Sequence, residues 1–435
     1  MPGEPQFKCK AESIANDGSG IVSVVDDGAM QGRKYFVPSA APDDFLLCKV
    51  TDEKKHRAEI VEIIEASNDR CPVFCKYCAG YSGTETGGCK SELTERCGAC
   101  TLQHINYDAQ IKHKLNLLYG ILCRNNIKTP IKTVPSQQIE YRNRIQLHSI
   151  VNAVSEKRNL YKLDIAKNKK QNVGFMPQRG NNIIPIDDCP ICSPIIRESL
   201  RNRTIKAPLD KDRFTIYGKD NLLLSESEKQ TGIYNFCGKQ IKVSANSFFQ
   251  SNGGLLEELI KDITAIAETA DRSLTCGDFY CGVGTFGVFL QDIFSNLVLF
   301  DQNKSALSIA RENVRYVGHK NPCNEDQCGA EFFAFDDDRF VKTFKSRNSV
   351  SAKRFGFAVA DPARTGLSPL MCKWLCENKP KILCYVSCNP TALVRDAKQL
   401  LASSYKLQSI TYYDFYPHTA HIETLSVFVA ADSNY

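Results

Sequence analysis

The sequence predicts a multidomain α/β protein built from three successive modules: a small N-terminal β-barrel, a cysteine-rich central α+β segment and a C-terminal Rossmann-like, doubly wound domain. Three observations predict it. Short strand-like runs separated by turn residues fill residues 7–66, and Cys71, Cys75, Cys78, Cys89, Cys97 and Cys100 crowd into residues 67–100. From about residue 245 onward, apolar segments of helix period and strand period alternate in succession. At 435 residues the chain has room for about three domains of roughly 150 residues each, and the breaks in character place them at 1–66, 67–240 and 241–435.

In the first module the runs KCKAESI, GIVSVV, KYFVP, FLLCKVTD and RAEIVEIIE are divided by AsnAspGlySerGly, AspAspGly and other turn signals. Five short strands that must cover their own edges predict a barrel of the OB type. The turn Lys54, Lys55, His56 and Arg57 is read either as a phosphate contact or as a solvated hairpin tip. Residues 67–100 are Gly-rich and weakly periodic, so they cannot build a core alone and point to a metal centre. A helical run over 101–125 follows, able to pack back on the last module, and then strand-like pieces such as RIQLHSIV, NVGFMP and RFTIYG.

In the last module Leu255, Leu256, Leu259, Ile260, Ile263 and Ile266 mark a helix face. After it come the strands SLTCGDFY, NLVLFD, FGFAVAD and KILCYVS with helices between them, and two closing strands near 406–415 and 422–430 predict an antiparallel hairpin.

Hydrophobic residues make up 43% and charged residues 24% of the chain, which excludes a disordered, collagen-like or coiled-coil protein. No stretch approaches the ~20 apolar residues that span a bilayer, and MPGEPQFKCK carries no apolar leader core, so a cytoplasmic protein without a membrane partner is expected, as a monomer. The 55 Lys and Arg exceed the 49 Asp and Glu by six, a surplus that permits a nucleic-acid partner without arguing for one. Twenty cysteines in a reducing compartment mean metal or catalysis rather than disulfides.

Ligands of doubly wound sheets bind beyond the carboxyl ends of the strands, where three motifs stand out. AspPheTyrCysGlyValGlyThrPheGly (278–287) is a Gly-rich strand-to-helix turn, and Asp301 ends the next strand, placed to accept from a ribose diol. The turn reads as a nucleoside-cofactor site, or as a purely structural turn. In AspProAlaArgThrGly (361–366) the proline forces the chain out of the sheet and exposes Asp361, which is otherwise a helix N-cap. In TyrValSerCysAsnPro (385–390), Cys388 lies at a strand end just before a helix, whose N-terminus stabilises a thiolate and lowers its pKa from about 8.5. That makes Cys388 the nucleophile candidate.

These three motifs, with AlaAsnSerPhePheGlnSerAsn (245–252) and HisIleGluThrLeu (421–425), resemble the S-adenosylmethionine-dependent RNA uracil-C5 methyltransferases, TRAM-containing iron-sulfur enzymes of the 23S rRNA 5-methyluridine type. The likeness covers nearly the whole chain: the barrel looks like a TRAM domain that binds RNA, and the ArgCysProValPhe and CysGlyAlaCys pieces look like the family's iron-sulfur motif. The resemblance implies a class I methyltransferase domain at 241–435. It implies Gln250, Tyr280, Gly282, Gly284, Thr285, Asp301, Asp336 and Asp361 at the S-adenosylmethionine site, with Cys388 as nucleophile and Glu423 as base. The family often has Asn where Thr285 stands and Glu where Asp301 stands; both replacements keep hydrogen-bonding ability. For an arbitrary Glu, a cross-strand pair with Lys is the commoner role.

By the same resemblance Cys71, Cys97, Cys100 and Cys189 hold a 4Fe-4S cluster, with Cys89 the alternative to Cys71 because residues 75–96 form an insertion. Zinc on four cysteines satisfies the same spacing, and the further Cys75, Cys78 and Cys192 leave room for a second metal. The expected substrate is ribosomal RNA of the large subunit, with transfer RNA as the other reading and a non-catalytic RNA-binding factor as the third. TyrArgAsnArg (141–144) and GlnArgGly (178–180) are the candidate phosphate or base contacts, or else structural ion-pair partners.

Overall fold

A computed structural model of the chain describes residues 6–26, 28, 30–80, 96–149, 173–208, 210–228, 230–314, 329–347 and 354–431. Cys89 lies outside the described residues, as does most of the insertion around it.

The five runs of the first module become β1 (Gln6–Ile14), β2 (Gly20–Val24), β3 (Lys34–Val37), β4 (Phe45–Asp52) and β5 (Arg57–Glu65). They close into a barrel in the order β1-β2-β3-β5-β4. Period-two alternation turns Phe7, Cys9 and Ala11 of β1 and Leu46, Cys48 and Val50 of β4 inward, and closure leaves no open sheet edge. The β1–β2 turn needs a glycine twice over: Gly18 has φ +85°, and a Cβ there would meet Thr101 Oγ1 at 2.2 Å. The barrel is clamped to the cysteine-rich segment through Asp44, whose fully buried carboxylate receives Arg70 Nε at 2.8 Å and Nη2 at 2.7 Å together with the Ser67 and Ala41 amides.

Helix α1 (Tyr107–Arg124) starts at Asn106, whose side chain accepts from the Ala109 amide as an N-cap. Its Leu118, Ile121 and Leu122 are buried in the core on one face of the C-terminal sheet. Strand β6 (Ile131–Val134) then joins that sheet. The central module proper is a five-stranded sheet, β11 (Leu222–Ser225), β10 (Arg213–Lys219), β7 (Arg144–Ser149), β8 (Val173–Phe175) and β9 (Ile184–Pro185), covered by α2 (Pro194–Arg201) through Ile196 and Leu200. The hairpin β12 (Thr231–Phe236) and β13 (Lys239–Ser244) leads on to α3 (Gly253–Glu268), whose N-cap Asn252 accepts from Leu255 N.

The last module is an eight-stranded sheet ordered β16-β15-β14-β17-β18-β20-β19-β6. Its parallel strands are β14 (Thr275–Phe279), β15 (Asn296–Phe300), β16 (Gly329–Phe333), β17 (Phe355–Ala360) and β18 (Ile382–Ser387). The antiparallel β20 (Glu423–Ala430) and β19 (Tyr405–Tyr413) follow, and β6 pairs parallel to β19 at the edge. Strands β14, β17 and β18 are buried on both faces, as the unbroken apolar runs demand. The strand order reverses between β14 and β17, which opens a crevice at their carboxyl ends. Among the described residues no helix is long and apolar enough to cross a membrane.

Candidate active site

The chain leaves β14 in a strained turn. Tyr280 has φ +62°, unusual for a bulky residue, and Gly282 and Gly284 follow at +55° and +78°. A Cβ on Gly284 would stand 3.0 Å from that of Ala310, so a side chain there is barred by space as well as by conformation. Thr285 is half-buried in the same turn. Asp278, buried at the end of β14, ties the turn down by accepting from Gly287 N at 2.8 Å, while its Oδ1 has no partner. Asp301 accepts from Gly282 N at 2.9 Å and Asn303 N at 2.7 Å. Gln250 donates to Asp361 at 3.5 Å, leaving its own buried Oε1 unpartnered.

Asp336, expected at the cofactor site, is followed by a second carboxylate, Asp337. Asp336 accepts from Arg339 N at 2.8 Å at the start of the helix Asp337–Arg347, whereas Asp337 accepts from the Tyr280 hydroxyl at 2.9 Å. Asp337 thus faces the Tyr280 turn beside the expected Asp336.

The crevice is prepared for a cation. Burial pushes the Asp278 carboxyl up to about 7, helped by Asp361 and Asp301; burial also takes Asp361 to about 7 against the opposing Gln250 hydrogen bond, and raises Asp301. Three acids whose charged forms burial disfavours, with orphaned oxygens on Asp278 and Gln250, fit a ligand bearing an ammonium and a sulfonium. They are the buried polar atoms that such a ligand would satisfy.

Beside this crevice the antiparallel register does the positioning. Ser387 of β18 pairs with Thr424 of β20, so continuing one step sets Cys388, just past the strand end, opposite Glu423. Glu423 is 3% exposed and opposite Tyr413 on its other side, which excludes the surface Lys pairing. Asp361 caps no helix either: the next one, Pro369–Asn378, is capped by Ser368.

The expected lowering of the Cys388 thiol is not found. Burial, then the Glu423 and Asp361 carboxyls, push it up to about 12, opposed only in part by Arg364. The helix Pro390–Ala402 gives little help, because Pro390 has no N–H and the Thr391 amide is taken by the Asn389 side chain at 3.0 Å. Glu423 is driven well above the ordinary carboxylate range by burial and by Asp361, and again Arg364 works against the shift.

Arg364, then, acts on both reacting groups. Its carbonyl is held by the Asn389 amide at 2.9 Å, and its guanidinium lies 3.4 Å from His421 Nε2. His421 packs edge-on against Tyr416, over which Arg142 is stacked. Arg364 and His421 stood inside the quoted motifs without being singled out. Tyr416 and Asp337 gave no spacing signal and emerge only from the fold.

Of the candidate RNA contacts Tyr141 is buried, while Arg142, Arg144, Gln178 and Arg179 stay partly exposed. Arg142 and Arg144 stack over Tyr416 and Phe248, and Tyr141 donates to the Pro417 carbonyl at 3.1 Å. Gln178 packs against Gly98, while Arg179 donates to Thr51 of the barrel at 3.3 Å.

Of the cysteines, Cys97, Cys100 and Cys189 are brought together with Cys75, Cys78 and Cys192. Burial drives Cys100 well up, and the thiols of Cys78, Cys189, Cys97 and Cys75 add to it; Cys189 is lowered by its hydrogen bond with Cys192. Cys71 stands apart, its Sγ against the Gln103 carbonyl at 3.5 Å, and no neighbouring thiol acts on it. Among the described residues no three Cys, His, Asp or Glu side chains converge closely enough to enclose a metal ion.

A doubly wound sheet whose strand order reverses beside a buried thiol and carboxyl has the architecture of a class I methyltransferase. Residues 227–431 match the family model "tRNA (Uracil-5-)-methyltransferase". The chain belongs to the RNA uracil-C5 methyltransferase family and is an S-adenosylmethionine-dependent enzyme of that activity. It is 28% identical to the tRNA (uracil(54)-C(5))-methyltransferase of Pyrococcus abyssi, over 93% of this chain and 98% of that protein. It is 24% identical to the 23S rRNA (uracil(1939)-C(5))-methyltransferase of Shewanella sediminis, over 92% and 91%. The crystal structure of the P. abyssi tRNA (uracil-54, C5)-methyltransferase with S-adenosyl-L-homocysteine superposes with a TM-score of 0.65 at 24% identity, covering 97% of this chain and all of that one. This last likeness shows that the fold is shared along the whole length.

Proposed function

We propose that the enzyme methylates C5 of a specific uridine in large-subunit ribosomal RNA through a covalent bond between Cys388 and C6 of the base. The observation that carries the chemistry is the register that sets Cys388 opposite the buried Glu423. Uracil C5 is a weak nucleophile, so the Cys388 thiolate adds to C6 and its electron pair moves the C5–C6 π electrons into an enolate. Gln250, Tyr280, Gly282, Gly284, Thr285, Asp301, Asp336 and Asp361 would hold S-adenosylmethionine, which would supply the electrophilic methyl group that C5 of the enolate takes up, with S-adenosylhomocysteine as the leaving group. Glu423, ionised at that stage, takes the C5 proton, the C5–C6 double bond re-forms and the Cys388 sulfur leaves as thiolate. Arg364, which favours the charged form of both groups, stabilises the ionised thiolate and carboxylate.

The cysteine segment is read as the holder of a 4Fe-4S cluster. Its all-thiol donor chemistry fits, and Cys75 and Cys78 both lie within electrostatic reach of the Cys97, Cys100 and Cys189 group while Cys71 does not, which favours one of those two over Cys71 as the fourth ligand. No step of methyl transfer uses the cluster; it would staple a loop that has little core of its own.

Transfer RNA is the second substrate reading, favoured by the higher identity to the P. abyssi enzyme. Mass mapping of 5-methyluridine in ribosomal and transfer RNA, from cells with and without the gene, separates the two. Loss of one ribosomal 5-methyluridine is expected, and an intact ribosomal set with a missing transfer-RNA methyl group moves the substrate.

The carboxyls near 7 give this site a pH signature. Asp278 and Asp361 hold protons below about pH 7, and a cationic cofactor must displace them. S-adenosylmethionine affinity is therefore expected to rise with pH to about 7 and then level off, falling on acidification by up to roughly tenfold per unit for each proton displaced. Calorimetric titration from pH 5.5 to 8.5 reads this directly, and a flat Kd across that range removes the proposed role of the two acids.

A further inference from the structure

A cleft of about 900 Å³ runs between the barrel and α1, within the ~300–1,000 Å³ that encloses a small ligand, and the methyl-transfer chemistry does not use it. One wall is the β1–β2 turn with Asn16 and the outer face of β3; the other is the side of α1 that carries Asn116 and Arg124. Alternation in β3 buries Tyr35 and Val37 in the barrel and leaves the Phe36 ring 40% exposed toward the cleft. Arg57 is its partner in the ladder, and Lys55 lies two residues before.

The charges do not cancel. Glu12 is occupied by Lys34 at 2.6 Å and by Ser23, and Asp17 holds its own turn by accepting from Ser19 N. Arg57 and Arg124 form no ion pair among the described residues, and Lys55 has only Asp52 at 3.8 Å. Arg179 lies close enough to Arg57 for the two cations to repel one another, an effect that Glu59, Asp17 and Asp52 offset from a distance. An exposed aromatic ring beside Arg57 and Arg124, neither in an ion pair among the described residues, with Asn16 and Asn116 offering both donors and acceptors, has the composition of a seat for an unpaired nucleotide.

We propose that this cleft seats an unpaired nucleotide of the substrate RNA, with its base on Phe36 and its flanking phosphates on Arg57 and Arg124. The inference rests on the RNA-methylation reading and adds to it a recognition site away from the reacting thiol. It takes one base by stacking and the backbone by charge, so it sets where the RNA lies rather than how fast the chemistry runs.

The test uses the full-length protein and a fluorescein-labelled single-stranded RNA dodecamer of A and C, which contains no uridine to methylate, read by anisotropy at several salt concentrations. Phe36→Ala is expected to weaken binding about 5- to 100-fold, and Phe36→Trp to restore it. Arg57→Glu and Arg124→Glu each lower the salt slope by about one. Lys373→Glu, a charge change on the helix Pro369–Asn378, leaves both unchanged. With methylatable RNA, the cleft variants raise KM and keep kcat.

Affinity and salt slope within twofold of wild type in Phe36→Ala and Arg57→Glu overturn the proposal. So does adenosine monophosphate binding as tightly as the dodecamer, which would make the cleft a small-molecule site. The two readings fail separately. A wild-type protein that methylates RNA while the cleft variants bind normally loses only the cleft, whereas a wild type that methylates nothing while the variants lose the dodecamer loses only the methyl-transfer reading.

Discussion

Cys388→Ala and Cys388→Ser proteins are expected to lose methyl transfer by about 10⁴-fold or more, since removing a covalent nucleophile leaves only binding and positioning to accelerate the reaction. The diagnostic measurement is intact mass. Given S-adenosylmethionine and RNA carrying 5-fluorouridine, the wild type becomes trapped as a covalent protein–RNA species, because fluorine at C5 cannot be removed as the proton is and elimination stalls. Neither variant forms that species. An adduct in Cys388→Ala would put the nucleophile elsewhere and undo the assignment. Because burial and two carboxyls hold the thiol up near 12, the thiolate has to be generated once substrate and cofactor occupy the site.

Glu423→Gln separates the two halves of the reaction. Burial and Asp361 favour the neutral form of Glu423, which the amide matches in shape, and stability is expected to stay close to wild type. Turnover is not preserved. Without a base the C5 proton remains, the Cys388–C6 bond cannot eliminate, and ordinary RNA accumulates as a denaturation-resistant complex while kcat falls about 10²- to 10⁴-fold. A Glu423→Gln enzyme that turns over normally and shows no complex on a denaturing gel would remove Glu423 from the mechanism. The direct contrast is informative: one variant never forms the covalent species, and the other never releases it.

Much of this was legible in the chain because local rules and global fold agree. The barrel strands alternate with a period of two and are cut by Gly-rich turns, and the buried parallel strands are unbroken apolar runs, so both follow from pattern. What escaped is instructive. The strand Gly329–Phe333 is five residues long and Ile131–Val134 four, each too short to show a period. Neither belongs to the sheet by propensity; both are recruited by the edge beside them.

At the site, Cys388 and the Gly-rich turn could be read because their chemistry is written in adjacent residues. The Cys388 thiol was misjudged for the opposite reason. A helix start is visible in sequence, but the burial that raises the thiol is not, nor are the carboxyls of Glu423 and Asp361 that add to it from 35 residues downstream and 27 upstream. Asp337 and Tyr416 likewise depend on what the fold brings across from other elements.

The edge strand Ile131–Val134 and the helix before it have a consequence for how this enzyme was assembled. The sheet that holds the cofactor is finished by residues encoded more than a hundred positions upstream of its first parallel strand. The seam is sealed by an ion pair excluded from water: Lys114 meets Asp414 at 2.7 Å, at 2% and 0% side-chain exposure, while the Tyr412 hydroxyl donates to the same oxygen. Two charges taken out of water on opposite sides of a junction are tolerable only together. Neither half can therefore be lost or exchanged without stranding a charge in the other. The helix and edge strand that precede the central module thus form one folding unit with the sheet they complete, and a transplanted methyltransferase half would have to carry them along.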